Sequence, residues 1–182
     1  MNLDLITPLI LTHNEESNIG RVLDKLDWAK QIIVVDSGSD DTTLEILKRN
    51  STVKVLKRPF DNHAAQWNYG VAAVTTEWVL SLDADYVLSR DLVDEIRALD
   101  PSGVDGFFIT LKYCVNGKAL RTSLLPAREA LFRKAKGQYI QNGHTQRFHN
   151  EGKSRNLTGV IYHDDRKPFQ RWYFAQLKYA EA

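Results

Sequence analysis

Hydrophobic positions arrive in short bursts through the first half of the chain. Leu9-Ile10-Leu11 behind Pro8, Ile32-Ile33-Val34-Val35, Val53-Lys54-Val55-Leu56 and Trp78-Val79-Leu80-Ser81-Leu82 are all runs of strand length. The second is β-branched throughout, which predicts a strand buried on both faces. Pro8 falls at the start of the first strand, where a missing N–H is tolerated. Between the bursts the spacing turns helical. Ile19, Val22, Leu23 and Leu26 form one stripe with Ser17 as its cap. Leu44, Ile46 and Leu47 form another within 42–50, and Ala64, Trp67, Val71 and Ala72 a third within 64–73. Strand–helix alternation of this kind predicts an α/β fold, with a parallel sheet, right-handed crossovers and helices on both faces.

The pattern changes after a helix expected over 90–99. Residues 106–114 and 129–132 read as strands, and Asn116-Gly117 as a hairpin turn between Tyr113 and Leu120. This second half is expected to be mixed or antiparallel. From Pro168 on, Phe169, Trp172, Tyr173, Gln176, Leu177 and Ala180 recur at helical spacing. The chain ends inside that stripe without a cap, the pattern of a piece of something longer. Arg166, Lys167, Arg171 and Lys178 lie among these aromatics. The stripe therefore reads either as a helix packed on the domain or as one lying on an anionic membrane surface.

Composition narrows the function classes. The 182 residues suit one compact domain, and no Gly-, Pro- or Ser-rich linker divides them. A net charge of +1 gives no bulk field that recommends nucleic acid as a partner. The single cysteine, Cys114, forbids an internal disulfide and favours a reducing compartment. With neither a spanning apolar run nor a signal-peptide pattern, a cytoplasmic location is expected.

In parallel sheets ligands sit beyond the carboxyl ends of the strands. Three polar clusters fall there: Thr12-His13-Asn14-Glu15, Asp36-Ser37-Gly38-Ser39-Asp40-Asp41 and Asp83-Ala84-Asp85. Two carboxylates two residues apart can hold a hard divalent cation whose other sites are filled by phosphate oxygens and water. Among 15 aspartates, about one Asp-x-Asp arises by chance, so position rather than the tripeptide carries the signal. Asp36 can accept a nucleobase imide N–H, and Asp41 can cap the following helix. The bland alternatives are an acidic solvated turn for Asp83 and Asp85, and an ordinary βα turn for Asp36.

Taken in order with Gln66-Trp67-Asn68-Tyr69-Gly70, these segments resemble the family 2 glycosyltransferases, and among them the bacterial lipopolysaccharide-core glucosyltransferases. The resemblance covers residues 5–100 strongly and 128–175 more loosely. It implies a GT-A (Rossmann-like) fold with a nucleotide-binding half over 1–100 and an acceptor-side half over 101–167. It also implies a UDP-linked hexose donor, Mg²⁺ or Mn²⁺, inversion at the anomeric carbon, and a saccharide or glycolipid acceptor of the cell envelope. By the same resemblance Thr12, Asn14 and Glu15 contact base and ribose, Asp36 lies beside the uracil, Asp83 meets ribose and metal, and Asp85 is the direct metal ligand. His163 is a further metal ligand, with Arg166 or Lys167 on the diphosphate. The general base is sought among Asp164, Asp165 and His144. Three departures stand out. Ser37 occupies a place where the family often has a second aspartate, Trp67 one where it often has Arg or Lys, and no Gln-x-x-Arg-Trp is present. The last argues against a processive synthase. A non-catalytic nucleotide-sugar or glycan-binding module and a polyprenyl-phosphate glycosyltransferase are the alternatives.

Overall fold

A computed structural model describes residues 1–122, 125–143 and 145–168, and the single positions 170, 173, 174 and 177. The predicted C-terminal stripe, and with it the choice between domain and membrane packing, lies almost wholly outside the described residues. His144 does too. The first half alternates as expected: β1 (Ile6–Thr12), α1 (Ile19–Leu23), β2 (Ile32–Asp36), α2 (Thr43–Lys48), β3 (Val53–Lys57), α3 (His63–Ala73) and β4 (Trp78–Asp83). Then come β5 (Tyr86–Leu88), α4 (Arg90–Ala98), β6 (Gly106–Val115), β7 (Lys118–Ala119), β8 (Arg128–Arg133), β9 (Gly137–Asn142), β10 (Thr145–Asn150) and β11 (Ser154–His163).

One sheet runs through both halves in the order β3-β2-β1-β4-β8-β6-β11-β5, with β7 hairpinned onto β6. β1 to β4 are mutually parallel, whereas β8 joins β4 and β6 antiparallel. β11 is parallel to β6 and antiparallel to β5. β9 and β10 form a separate antiparallel pair beside α3.

Side-chain parity explains why helices cover both faces. Leu9, Ile33 and Val35 pack with Ala64, Trp67 and Val71 of α3. Their neighbours Ile10, Ile32 and Val34 point the other way, onto Ile19, Val22 and Leu23 of α1 and Leu47 of α2. α3 lies very close to the sheet at Gly70, where a Cβ would stand 2.5 Å from a Leu9 methyl. Further core anchors, Trp78, Phe107 and Phe132, are fully buried; each phenylalanine contributes roughly 1.5–3 kcal/mol by leaving water.

Two local expectations need correction. Asn18, not Ser17, precedes α1, and it makes no side-chain cap because its amide is engaged elsewhere. Pro8 is the third residue of β1 rather than its start; its missing N–H is tolerated because pairing with β2 begins only at Leu9. The Asn116-Gly117 turn is as expected, with φ of 49° and 78° and Leu120 N–H donating to Tyr113 O at 2.8 Å. Among the described residues no helix is long and apolar enough to cross a membrane.

Candidate active site

At the carboxyl ends of β1, β2 and β4 lies a cavity of about 570 Å³. Thr12, His13, Glu15, Ser37, Gln66, Asp83, Asp85 and His163 line it, together with Phe60, His63, Trp67 and Gln146. The parallel topology brings the ends of these strands to one rim. The pairing of Tyr86 with His163 brings the end of β11 to the same place.

The two carboxylates of Asp83-Ala84-Asp85 face different partners. Asp83 Oδ2 accepts from Arg128 Nη1 at 2.9 Å, and the same nitrogen donates to the Tyr86 hydroxyl at 2.9 Å. Burial opposes the Arg128 charge, but Asp83 and Tyr86 outweigh it and hold the guanidinium firmly protonated. Asp85 instead meets His163 Nε2 at 3.1 Å. The imidazole stacks on Tyr113 at 4.4 Å and approaches Tyr86 at 5.2 Å. Burial works against its charged form; the hydrogen bond and charge of Asp85 more than offset this and raise its pKa above the ordinary 6.5. His163 Nδ1 is buried without a partner among the described residues, as are Thr12 Oγ1 and Gln66 Oε1.

The expected ligand trio is therefore not assembled. Among the described residues no three His, Cys, Asp or Glu side chains converge, because Asp83 is turned to Arg128 while Asp85 and His163 face each other. What remains still suits a hard divalent ion, which needs only one or two carboxylates when phosphate oxygens and water complete its shell. Asp85, with Asp83 beside it on the same cavity wall, would supply them.

Asp36, expected beside a nucleobase, is turned inward. It is completely buried, and its carboxylate accepts the N–H groups of Gly38 and Ser39, both at 3.0 Å, and the Ser39 hydroxyl. It shapes its own turn, in which Gly38 holds a φ of 95° that suits glycine, and leaves Ser37 on the cavity wall. Asp41 accepts Thr43 N–H at the start of α2, facing the helix as expected. Asn14 ties the first two rim loops together: its N–H donates to Ser39 Oγ at 2.9 Å and its Oδ1 accepts Asp40 N–H at 2.9 Å.

The segment after β11 serves as a strap. Asp164 is buried and accepts from Arg21 Nη1 at 2.8 Å, Arg166 Nε at 2.8 Å and Gly117 N–H at 3.0 Å. Asp165 accepts from Asn18 Nδ2 at 2.8 Å, and Lys167 Nζ pairs with Glu15 Oε1. Neither Asp164 nor Asp165 lines the cavity, and Arg166 pairs with Asp164. Glu15 does line the cavity. Burial raises its carboxyl above the ordinary 4.5, against the lowering influence of Lys167.

Sequence reasoning missed Arg128, Tyr86 and Gln66. Arg128 opens β8, 45 residues from Asp83, so only the antiparallel docking of β8 on β4 joins them. Trp67, at the place where the family often has Arg or Lys, stacks on Tyr139 at 5.1 Å, and Asn68 brackets the Tyr139 backbone, its Nδ2 donating to Tyr139 O at 2.8 Å and its Oδ1 accepting Tyr139 N–H at 3.0 Å. A second cavity of about 580 Å³, lined by Arg128, Glu129, Tyr139, Arg147 and Phe148, shares Gln146 with the first.

The model of glycosyl transferase family 2 matches residues 9–151. An uncharacterized glycosyltransferase of Rickettsia typhi is 36% identical over 93 residues, 50% of this chain and 32% of the relative. The lipopolysaccharide core biosynthesis glycosyltransferase LpsC of Rhizobium meliloti is 24% identical over 142 residues, 74% of this chain and 53% of LpsC. The chain thus spans between a third and a half of the curated relatives it matches. Among solved structures, S. aureus TarS 1-349 in complex with UDP-GlcNAc superposes with a TM-score of 0.66 at 20% identity, over 90% of this chain and 59% of that one. The fold is that of the GT-A glycosyltransferases. With its parallel rim, its Asp83-Ala84-Asp85 turn and a family model that matches well over half its length, this chain belongs to glycosyltransferase family 2.

Proposed function

We propose that this chain moves a hexose from a UDP-sugar, with inversion, onto an acceptor hydroxyl of a cell-envelope saccharide or glycolipid. The observation that carries the reading is the cavity itself, where the carboxylates of Glu15, Asp83 and Asp85 gather at the ends of parallel strands beside three side chains with buried polar atoms that have no partner among the described residues. Buried polar groups without partners cost free energy unless a ligand completes them. LpsC, named for lipopolysaccharide core biosynthesis, supports an envelope acceptor.

In this reading Thr12 and Glu15 bind the nucleoside and Asp85, with Asp83, holds Mg²⁺ or Mn²⁺. The ion, when bound, supplies Lewis-acid stabilisation to a departing diphosphate. Arg128 fixes the Asp83 carboxylate and separates the donor cavity from the second one, which takes the acceptor against the rings of Tyr139 and Phe148. The proton acceptor is His144, two residues ahead of the cavity-lining Gln146 in the sequence and the base candidate that the strap has not claimed.

Calorimetric titration of UDP, GDP, dTDP and CMP, with and without Mn²⁺ or Mg²⁺, tests the donor half. Metal-dependent UDP binding that weakens about 100-fold or more in Asp85→Asn is expected. His144→Ala is expected to bind UDP normally and lose transfer. Failure of every nucleotide to bind folded protein would overturn the reading.

A further inference from the structure

At the far end of β6 the chain leaves the sheet as a hairpin whose two sides differ. Tyr113 stands opposite His163 in the β6–β11 register, and their rings stack at 4.4 Å beside the rim cavity that His163 lines. Val115 follows two residues later, about 7 Å further along and on the same face. Lys118 pairs with Val115, and Leu120 N–H returns to Tyr113 O, so alternation puts Lys118 and Leu120 on that face too. Cys114 points the other way and is buried. The turn itself is held down, because Gly117 N–H donates to Asp164 Oδ1 at 3.0 Å. Val115 is 59% exposed and Leu120 42%, which leaves two aliphatic side chains in water on the side that continues from the cavity rim.

The charge around them has one sign. From Gly106 to Arg128 the chain carries no Asp or Glu but four basic residues, Lys112, Lys118, Arg121 and Arg128. Arg128 is taken by Asp83, whereas Lys112, Lys118 and Arg121 are exposed. Asp164, the carboxylate behind the hairpin, is answered by both Arg21 and Arg166. A second copy of the chain fits this surface badly. Two exposed aliphatic side chains fall far short of the roughly 800 Å² per partner of a stable protein interface, and a face-to-face pair would set Lys118 against Lys118. A bilayer asks less. It takes up isolated apolar side chains between its headgroups, and anionic headgroups attract the lysine and arginine beside them.

We infer that the β6–β7 hairpin is a docking surface for an anionic lipid bilayer. Val115 and Leu120 enter the headgroup layer, and Lys112, Lys118 and Arg121 are held against its charge. Because Gly117 ties the turn to Asp164, the hairpin meets the lipid already folded and spends little on ordering. Tyr113 connects it to His163, so the bilayer comes to lie beside the cavity rim. A substrate borne on a lipid then reaches the site without leaving its membrane. The inference stands on exposure and charge and does not depend on what the cavity binds.

The test is co-sedimentation of the full chain with vesicles of phosphatidylcholine alone and of phosphatidylcholine mixed equally with phosphatidylglycerol, at low and at high salt. Wild type is expected to partition onto the mixed vesicles roughly tenfold or more strongly than onto phosphatidylcholine, and to come off at high salt. The double variants Val115→Asn with Leu120→Asn, and Lys118→Glu with Arg121→Glu, change only exposed side chains. Each is expected to lose about tenfold in partitioning with Tm unchanged. A Leu120→Trp protein should be quenched by brominated lipid beyond the quenching of the four tryptophans of wild type. If wild type stays in solution at low salt, or binds both kinds of vesicle alike, the inference falls. Either double variant binding as well as wild type overturns it too, since the lipid contact then lies elsewhere on the chain. So does a Leu120→Trp protein whose added fluorescence the brominated lipid leaves untouched. A dimer in vesicle-free solution that both double variants dissolve would give this face to a second copy instead.

Discussion

The rim cavity and the strap behind β11 are built from the same residue types, but they are finished differently. Around the strap each of these polar groups has a partner. Asp164 meets Arg21 and Arg166, Asp165 meets Asn18, and Lys167 meets Glu15. Around the cavity the matching stops short, and Thr12 Oγ1, Gln66 Oε1 and His163 Nδ1 are buried without partners among the described residues. A saturated network rigidifies; an incomplete one is costly unless something arrives to complete it. The carboxylates that look most like an acid–base pair in the sequence, Asp164 and Asp165, belong to the saturated region. Acidity along a chain thus says little about chemistry until partners are counted.

The contrast can be broken by variants that injure one region and spare the other. The largest effect expected in the strap is from Asp164→Asn, which disturbs three charge-assisted hydrogen bonds and leaves Arg21 and Arg166 without a counter-charge. We expect a loss of about 2–3 kcal/mol in urea unfolding, with UDP affinity of the folded protein unchanged. A matching loss of nucleotide affinity would make the strap part of the site. The same residue predicts a pH signature. Burial opposes its charge, but Arg166, Arg21 and the Gly117 N–H outweigh burial and hold its carboxyl below the ordinary 3.8. Its contribution is therefore fully present above about pH 4 and disappears as pH falls through the lowered folded-state value. Urea titrations between pH 2 and 6 should show a shallower acid loss in Asp164→Asn than in wild type.

A smaller effect is expected from Gly117→Ala. The residue holds a φ of 78°, which strains any residue but glycine, and an added Cβ would stand 2.2 Å from Arg166 Nη2, so the guanidinium must also shift. About 1–2 kcal/mol of stability should be lost, read as a lower Tm, again without change in UDP binding. Arg97→Ala, which removes an exposed pair with Asp94, should cost no more than about 0.5 kcal/mol and serves as the baseline.

The legibility of this chain follows the range of the forces that shape each part. β1, β2 and β4 announce themselves because each is a compact apolar run buried on both faces, whereas β3, at the sheet edge, carries two lysines and is only partly buried. The Asn116-Gly117 turn is equally local. β9 and β10 carry Gln138, Gln141, Gln146 and Arg147 with little alternation, so neither period nor composition marks them. Arg128 and Asp83 could not be joined from sequence, since their contact depends on β8 inserting between β4 and β6. Asp36 is a different case. Asp-Ser-Gly-Ser is itself a turn in which a carboxylate accepts N–H groups two and three residues on, so the inward orientation was written locally.

The antiparallel pairing of β5 with β11 has a consequence for the order in which the site comes into being. Asp85 and His163 are separated by nearly half the chain and meet only when β11 slots between β6 and β5. A growing chain exposes both aspartates long before its own histidine exists, with β5 still lacking the strand that will hold it. Closing a loop of that length is slow compared with forming the local βα units. A polypeptide cut before Ser154 would thus keep its acidic turn without ever completing the wall opposite.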